Sequence, residues 1–163
     1  MRTISYSESS GGKRTALAPA PRAATHPGLT DVLLISPHEC DRRTLERAVS
    51  NTEWNVLHVR TCEEALAVMS SVLVPVVICD ETVAAGRWKA AIKSIIASPH
   101  PAPTLLASES YDWRLWVDTI DSGGFELVAK PFDSAGVGEK LHSAYQHWKQ
   151  GRTRRTWDHF FTR

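Results

Sequence analysis

Between Val32 and Lys149, short apolar, β-branched runs alternate five times with stretches of helical apolar spacing. That alternation leaves the chain very few folds. The runs are Val32-Leu33-Leu34-Ile35, Asn55 to Arg60, Pro75-Val76-Val77-Ile78-Cys79 ending at Asp80, Thr104-Leu105-Leu106-Ala107, and Phe125 to Ala129. Continuous apolar runs of this length suit strands buried on both faces, as in the middle of a parallel sheet. Strand–helix alternation implies such a sheet, with helices on both faces and right-handed crossovers. Five units fit the flavodoxin-like strand order 2-1-3-4-5.

The spacing between the runs predicts five helices. Ser36-Pro37-His38-Glu39 breaks the first run, and Asp41 to Ser50 follows with Leu45, Ala48 and Val49 on one stripe. Thr61-Cys62-Glu63-Glu64 is a capping-box pattern, opening a helix with Ala65, Leu66 and Met69 inward. Glu81 to Gly86 reads as a loop, after which Trp88, Ile92, Ile95 and Ile96 recur at helical spacing. Pro99, Pro101 and Pro103 end that helix and keep the next connection extended. Trp113, Trp116, Val117 and Ile120 stand at i, i+3, i+4 and i+7 before Gly123-Gly124, which closes the helix. Asp133 can cap the last helix, whose inner stripe is Val137, Leu141, Tyr145 and Trp148.

The ends of the chain read differently. Residues 1–29 are rich in Ser, Gly, Ala, Pro and Thr without apolar periodicity. Such a segment cannot bury enough surface to offset its ordering entropy, so a disordered tail is expected there. A single domain is expected over 30–149, and 150–163 is a basic and aromatic extension carrying Arg152, Arg154, Arg155 and Arg163 among Trp157, Phe160 and Phe161. A net charge of +1 gives no general attraction to nucleic acid or membrane, so neither is an expected partner. Cys40, Cys62 and Cys79 are odd in number and lack metal-site spacing, which suits reduced thiols in the cytoplasm. No apolar run approaches the roughly 20 residues of a membrane span. His142 and His147 are five apart, not the four that would stack two ligands on one helix face, so no zinc site is read.

Three polar residues fall at the carboxyl ends of three runs: Asp80, Ser108 and Lys130. In the 2-1-3-4-5 order those strands are neighbours, and open α/β sheets form their sites at that edge. The combination makes chemical sense. A carboxylate can take a phosphoryl group as an acyl phosphate. The phosphoryl oxygens then need donors and positive charge, which a hydroxyl and an ammonium supply.

On these residues, with Lys130-Pro131-Phe132 after the fifth run and Asp41-Arg42-Arg43-Thr44-Leu45 in the first helix, Val32 to Lys149 resembles the receiver domain of bacterial two-component response regulators. The resemblance implies that Asp80 is a phosphoacceptor for a histidine kinase or phosphotransfer protein, with Ser108 and Lys130 contacting the phosphoryl group. It also implies a cis Lys130–Pro131 peptide and a downstream protein partner, or a second copy, on the face of the fourth helix, fifth strand and fifth helix. The implied product is a stand-alone signalling module in the cytoplasm, not an enzyme.

The sequence departs from the family where Mg²⁺ would bind. The usual pair of acids after the first strand is Ser36 and Pro37 here, leaving Asp80, the backbone of Thr82 and Glu39 as metal candidates. Mg²⁺ demands several oxygen ligands, so metal-assisted phosphorylation is expected to be weak or absent. Val83-Ala84 replaces the family's common Met-Pro, and Leu127 replaces the aromatic three residues before the lysine. The alternative function is therefore a phosphorylation-independent pseudo-receiver that acts as an interaction module. A nucleotide-binding flavodoxin-like enzyme ranks last, because no glycine-rich phosphate loop follows the first run.

Overall fold

The structure is a computed structural model that describes residues 25–161, with side chains placed as far as Arg154. The expectation of a tail over 1–29 therefore falls mostly outside the described residues, as do the side chains of Arg155, Trp157, Phe160, Phe161 and Arg163. Five strands, β1 (Thr30–Ile35), β2 (Trp54–Val59), β3 (Val76–Asp80), β4 (Thr104–Ser108) and β5 (Glu126–Ala129), form one sheet in the order β2-β1-β3-β4-β5. Every pairing is parallel, as the unbroken apolar runs require. The register sets Cys79 beside Ile35, Asp80 beside Ala107 and Ser108 beside Ala129, which aligns the carboxyl ends of β1, β3, β4 and β5.

Five long helices cover the sheet: α1 (Glu39–Ala48), α2 (Cys62–Ser71), α3 (Trp88–Ile96), α4 (Trp113–Asp121) and α5 (Ser134–Phe161). Alternate strand residues feed two cores. Val32, Leu34, Ile78, Leu105 and Val128 pack with Leu45 of α1 and with Val137 and Leu141 of α5. Leu33, Ile35, Val77, Leu106 and Leu127 pack with Met69 of α2 and with Ile92 and Ile95 of α3. The cysteines are unpaired, and burial pushes the Cys79 thiol up to about 12, so it behaves as a small apolar residue there.

The caps follow the sequence closely. Thr61 Oγ1 accepts from Glu64 N at 3.2 Å, while Glu64 reaches back to Arg60 N at 2.9 Å. Asp133 Oδ1 accepts from Gly136 N at 2.7 Å and caps α5. Gly123 ends α4 with φ of +90°, a conformation that favours glycine. No helix among the described residues is long and apolar enough to cross a membrane.

Three elements differ from expectation. The first helix begins at Glu39, two residues before Asp41, which places Asp41 inside its first turn. The loop after β3 holds a single helical turn, Val83–Gly86, in which Ala84 and Ala85 take left-handed φ of 54° and 56°. Its two alanines therefore carry backbone strain beside the carboxyl edge.

The third is α4, whose apolar stripe turns outward: Trp113 is 70% exposed, and Trp116 and Ile120 are also exposed. Thr119 faces inward instead and is fully buried. A Cβ on Gly124 would lie 2.7 Å from the Thr119 methyl and 2.9 Å from its carbonyl oxygen. This close approach to the turn before β5 fixes the rotation of α4 and leaves the tryptophans outside. Finally, α5 runs on through the basic segment as one helix of 28 residues.

Candidate functional site

The carboxyl edge of the sheet delivers Asp80 and Lys130 to one point. Asp80 closes β3 and is completely buried, and Lys130 follows β5, tied down by its N–H to Ser108 O at 2.8 Å. Lys130 Nζ lies 2.5 Å from Asp80 Oδ2. It is a charge-assisted contact between an ammonium and a carboxylate. The other oxygen, Oδ1, accepts from Thr82 N at 2.9 Å and from the Thr82 hydroxyl. The Lys130–Pro131 peptide is cis, as the resemblance implied.

The Thr82 hydroxyl has one proton and gives it to Asp80. His38 Nε2, 2.9 Å from Thr82 Oγ1, must therefore be the donor in that contact, which fixes the tautomer with hydrogen on Nε2. His38 Nε2 also stands 3.9 Å from Asp80 Oδ1. His38 is thus the outer wall of the Asp80 pocket.

Electrostatics keep the pair charged. Burial pushes the Asp80 carboxyl up, but Lys130 and the two Thr82 donors outweigh it and hold the group below its ordinary value. Burial likewise disfavours the Lys130 ammonium, and Asp80 and Asp41 more than restore it, leaving its pKa raised.

Asp41 is the residue that sequence reasoning missed. It is buried, and its carboxylate receives Lys130 Nζ at 3.1 and 3.3 Å and the Ser36 hydroxyl at 2.6 Å. Ser36 Oγ in turn accepts from His38 N at 3.1 Å. The signal was present: Asp41 precedes Leu45 by four residues and Ala48 by seven, so a carboxylate stands on the buried stripe of α1. Ser36 and Pro37 do occupy the end of β1, held by Ser36 N to Val59 O at 3.0 Å and by His58 and Arg60 on their carbonyls. The acid enters from the helix, not the strand.

Ser108 is at its expected strand end but binds elsewhere. Its hydroxyl donates to Glu81 Oε1 at 2.7 Å and accepts from Ser110 N at 2.9 Å. Glu81, read only as loop, was the second miss, and nothing in its sequence context marks it beyond following Asp80. Glu39 is engaged with other partners: its carboxylate holds the Arg42 guanidinium, with Arg42 Nε at 2.6 Å, and lies 3.9 Å from His58 Nδ1. Leu127 is buried in the core.

These donors do not fit a Mg²⁺ ion. Mg²⁺ needs free, hard oxygens in near-octahedral array. Here Thr82 and Lys130 take the two Asp80 oxygens, Ser36 and Lys130 take Asp41, Arg42 takes Glu39, and Ser108 takes an oxygen of Glu81. Among the described residues no three His, Cys, Asp or Glu side chains gather as a metal site. The cation placed between the carboxylates is Lys130.

No family model matches the chain, and no curated protein matches it either. Solved structures do. The chain is similar to the signal receiver domain of an HD domain-containing protein from Pseudomonas fluorescens Pf-5, at 21% identity and a TM-score of 0.69 over 80% of this chain and 97% of that one. It is similar to the signal receiver domain of a putative Luxo repressor protein from Vibrio parahaemolyticus, at 16% identity and TM-score 0.68 over 77% and 96%. A third likeness is to the chemotaxis response regulator CheY4 of Vibrio cholerae, at 16% identity and TM-score 0.63 over 71% and 98%. The chain has the receiver fold, spanning nearly the full length of each of these domains.

Proposed function

We propose that this chain is a receiver-type module of phosphorelay signalling, with Asp80 as its phosphoacceptor and protein contact as its output. The observation that carries the reading is the Asp80–Lys130 ion pair of 2.5 Å, drawn from the ends of β3 and β5, which flank β4 in a receiver fold. A histidine kinase or phosphotransfer protein is the donor this chemistry calls for. The exposed Trp113 and Trp116, on the face shared by α4, β5 and α5, support an output surface there, for a downstream protein or a second copy.

Charging Asp80 is slow in this reading. The incoming phosphoryl group meets Asp41 as well as Asp80, with Lys130 shared between them. One unit-charge interaction at ~4 Å and an effective dielectric of about 20 is worth ~4 kcal/mol, or roughly three orders of magnitude in rate. A second reading, an interaction module that works without phosphate, is favoured by one observation: Asp80 is 0% exposed.

Incubation with acetyl phosphate, with magnesium or with a chelator, separates the two. Slow incorporation confined to Asp80, and similar in both arms, is the expected result. A protein that takes up no phosphate from acetyl phosphate or from a histidine phosphotransfer donor is the interaction module. Rapid, strictly magnesium-dependent labelling would contradict the metal-poor pocket.

A further inference from the structure

The two side chains that would contact a phosphoryl group on Asp80 already have anionic partners. Lys130 Nζ is within 3.1 Å of Asp41 Oδ2, and Ser108 Oγ donates to Glu81 Oε1 at 2.7 Å. Both partners belong to this chain, and both are carboxylates, the side chains most like a phosphate oxygen in charge and acceptor geometry. They come from different elements: Asp41 on the first turn of α1, Glu81 directly after β3. Asp41 is itself fixed by Ser36, so its grip on Lys130 is built into the β1–α1 junction. Meanwhile Asp80 Oδ2 is buried and faces the same Lys130 ammonium.

We infer that Asp41 and Glu81 are built-in ligands that hold Lys130 and Ser108 engaged in the absence of phosphate, so that a phosphoryl group arriving on Asp80 has to displace them. The pocket is self-ligated. Phosphorylation then registers as an exchange of carboxylate for phosphoryl oxygen at both donors. Asp41 and Glu81 are positioning residues, acting through Lys130 and Ser108. This inference rests on the reading of Asp80 as phosphoacceptor.

Phosphoramidate is the probe. An Asp80 carboxylate oxygen bonds to phosphorus as the phosphorus–nitrogen bond breaks, and nitrogen leaves as ammonia with the three hydrogens it carries in the zwitterion. The rate is followed by intact mass in five proteins: wild type, Asp41→Asn with Glu81→Gln, that double variant with Asp80→Asn, Glu81→Gln alone, and Ser36→Ala. Releasing both donors and removing two negative charges is expected to raise the rate roughly ten-fold or more. Ser36→Ala loosens Asp41 but keeps its charge on Lys130, and is expected to show a smaller gain than the double variant. It separates lost charge from simple loosening.

Glu81→Gln alone lies at a partly exposed position and is expected to show part of the gain even if the double variant folds poorly. Absence of any gain in both Glu81→Gln and the double variant overturns the inference, as does an equal gain in Ser36→Ala. If labelling survives Asp80→Asn, the phosphoacceptor reading itself has failed and the inference falls with it. Loss of labelling in Asp80→Asn, with no gain elsewhere, removes the inference and leaves that reading standing.

Discussion

The two halves of the carboxyl edge were built by different rules. On the β3–β5 side, Asp80, Ser108 and Lys130 stand where parallel register puts them, one at each strand end. On the β1 side the strand ends in Ser36 and Pro37, and the acid comes from Asp41, a turn of helix further on. The first half supplies a buried carboxylate and the ammonium that pairs with it. The second half takes hold of that ammonium from the other direction. Asp41 thus balances Lys130 from the helix, with its oxygens taken up by Lys130 and Ser36.

The largest expected effect breaks the link between the halves. Lys130→Met leaves Asp80 and Asp41 buried without a counter-charge, a loss of about 3–5 kcal/mol near neutral pH. Urea unfolding should show that loss shrinking as pH falls, because the carboxylates can then take up protons. A loss that stays constant down to pH 4 would mean that the lysine acts through packing. Asp41→Ala comes next, at about 2–3 kcal/mol, and Ser36→Ala follows at about 1 kcal/mol, since each removes hydrogen bonds to a buried charged group. If Ser36→Ala costs as much as Asp41→Ala, the contact with Lys130 contributes little.

The pH profile of the wild type sharpens the same comparison. The folded pKa of Asp80 is depressed below 3.8, so its stabilisation is complete above that value and is lost as pH falls through the lowered one. The folded pKa of Lys130 is raised above 10.5, so its contribution is complete below 10.5 and is lost as pH climbs through the raised value. Unfolding free energy should therefore be insensitive to this pair between those limits. Asp80→Asn should weaken the dependence at the acid limb, which chemical denaturation at pH 2.5 to 5 would detect.

Smaller effects lie away from the pair. Ala84→Gly and Ala85→Gly, at φ of 54° and 56°, should each stabilise by about 0.5–1 kcal/mol, because glycine takes that conformation without a Cβ clash. Destabilisation in thermal melts would show that the loop's alanine side chains carry more weight than its backbone. Trp113→Ala, on the exposed face of α4, should change stability by less than about 0.5 kcal/mol.

What was legible in the sequence follows the same division. Strand-end residues could be placed because an apolar run, its length and its order in the sheet locate them without knowledge of side-chain packing. The two-cored sheet and the Asp133 and Thr61 caps were readable for the same local reasons. Asp41 was legible only as a position on the α1 stripe, because its contact with Lys130 joins residues 89 apart in the chain and has no local signature. The outward turn of Trp113 and Trp116 was hidden for a related reason. Their spacing marks one apolar face, but the contact between Thr119 and Gly124 decides which way that face points. Glu81 pairs with Ser108 across two loops, a tertiary contact with no local signature.

The most direct measurement is the site and rate of phosphoryl uptake from phosphoramidate, read by intact mass and peptide mapping in wild type and Asp80→Asn. One phosphoryl group per chain is expected, on Asp80, acquired slowly and with no requirement for magnesium. Label on any other residue, or equal uptake by Asp80→Asn, would contradict it.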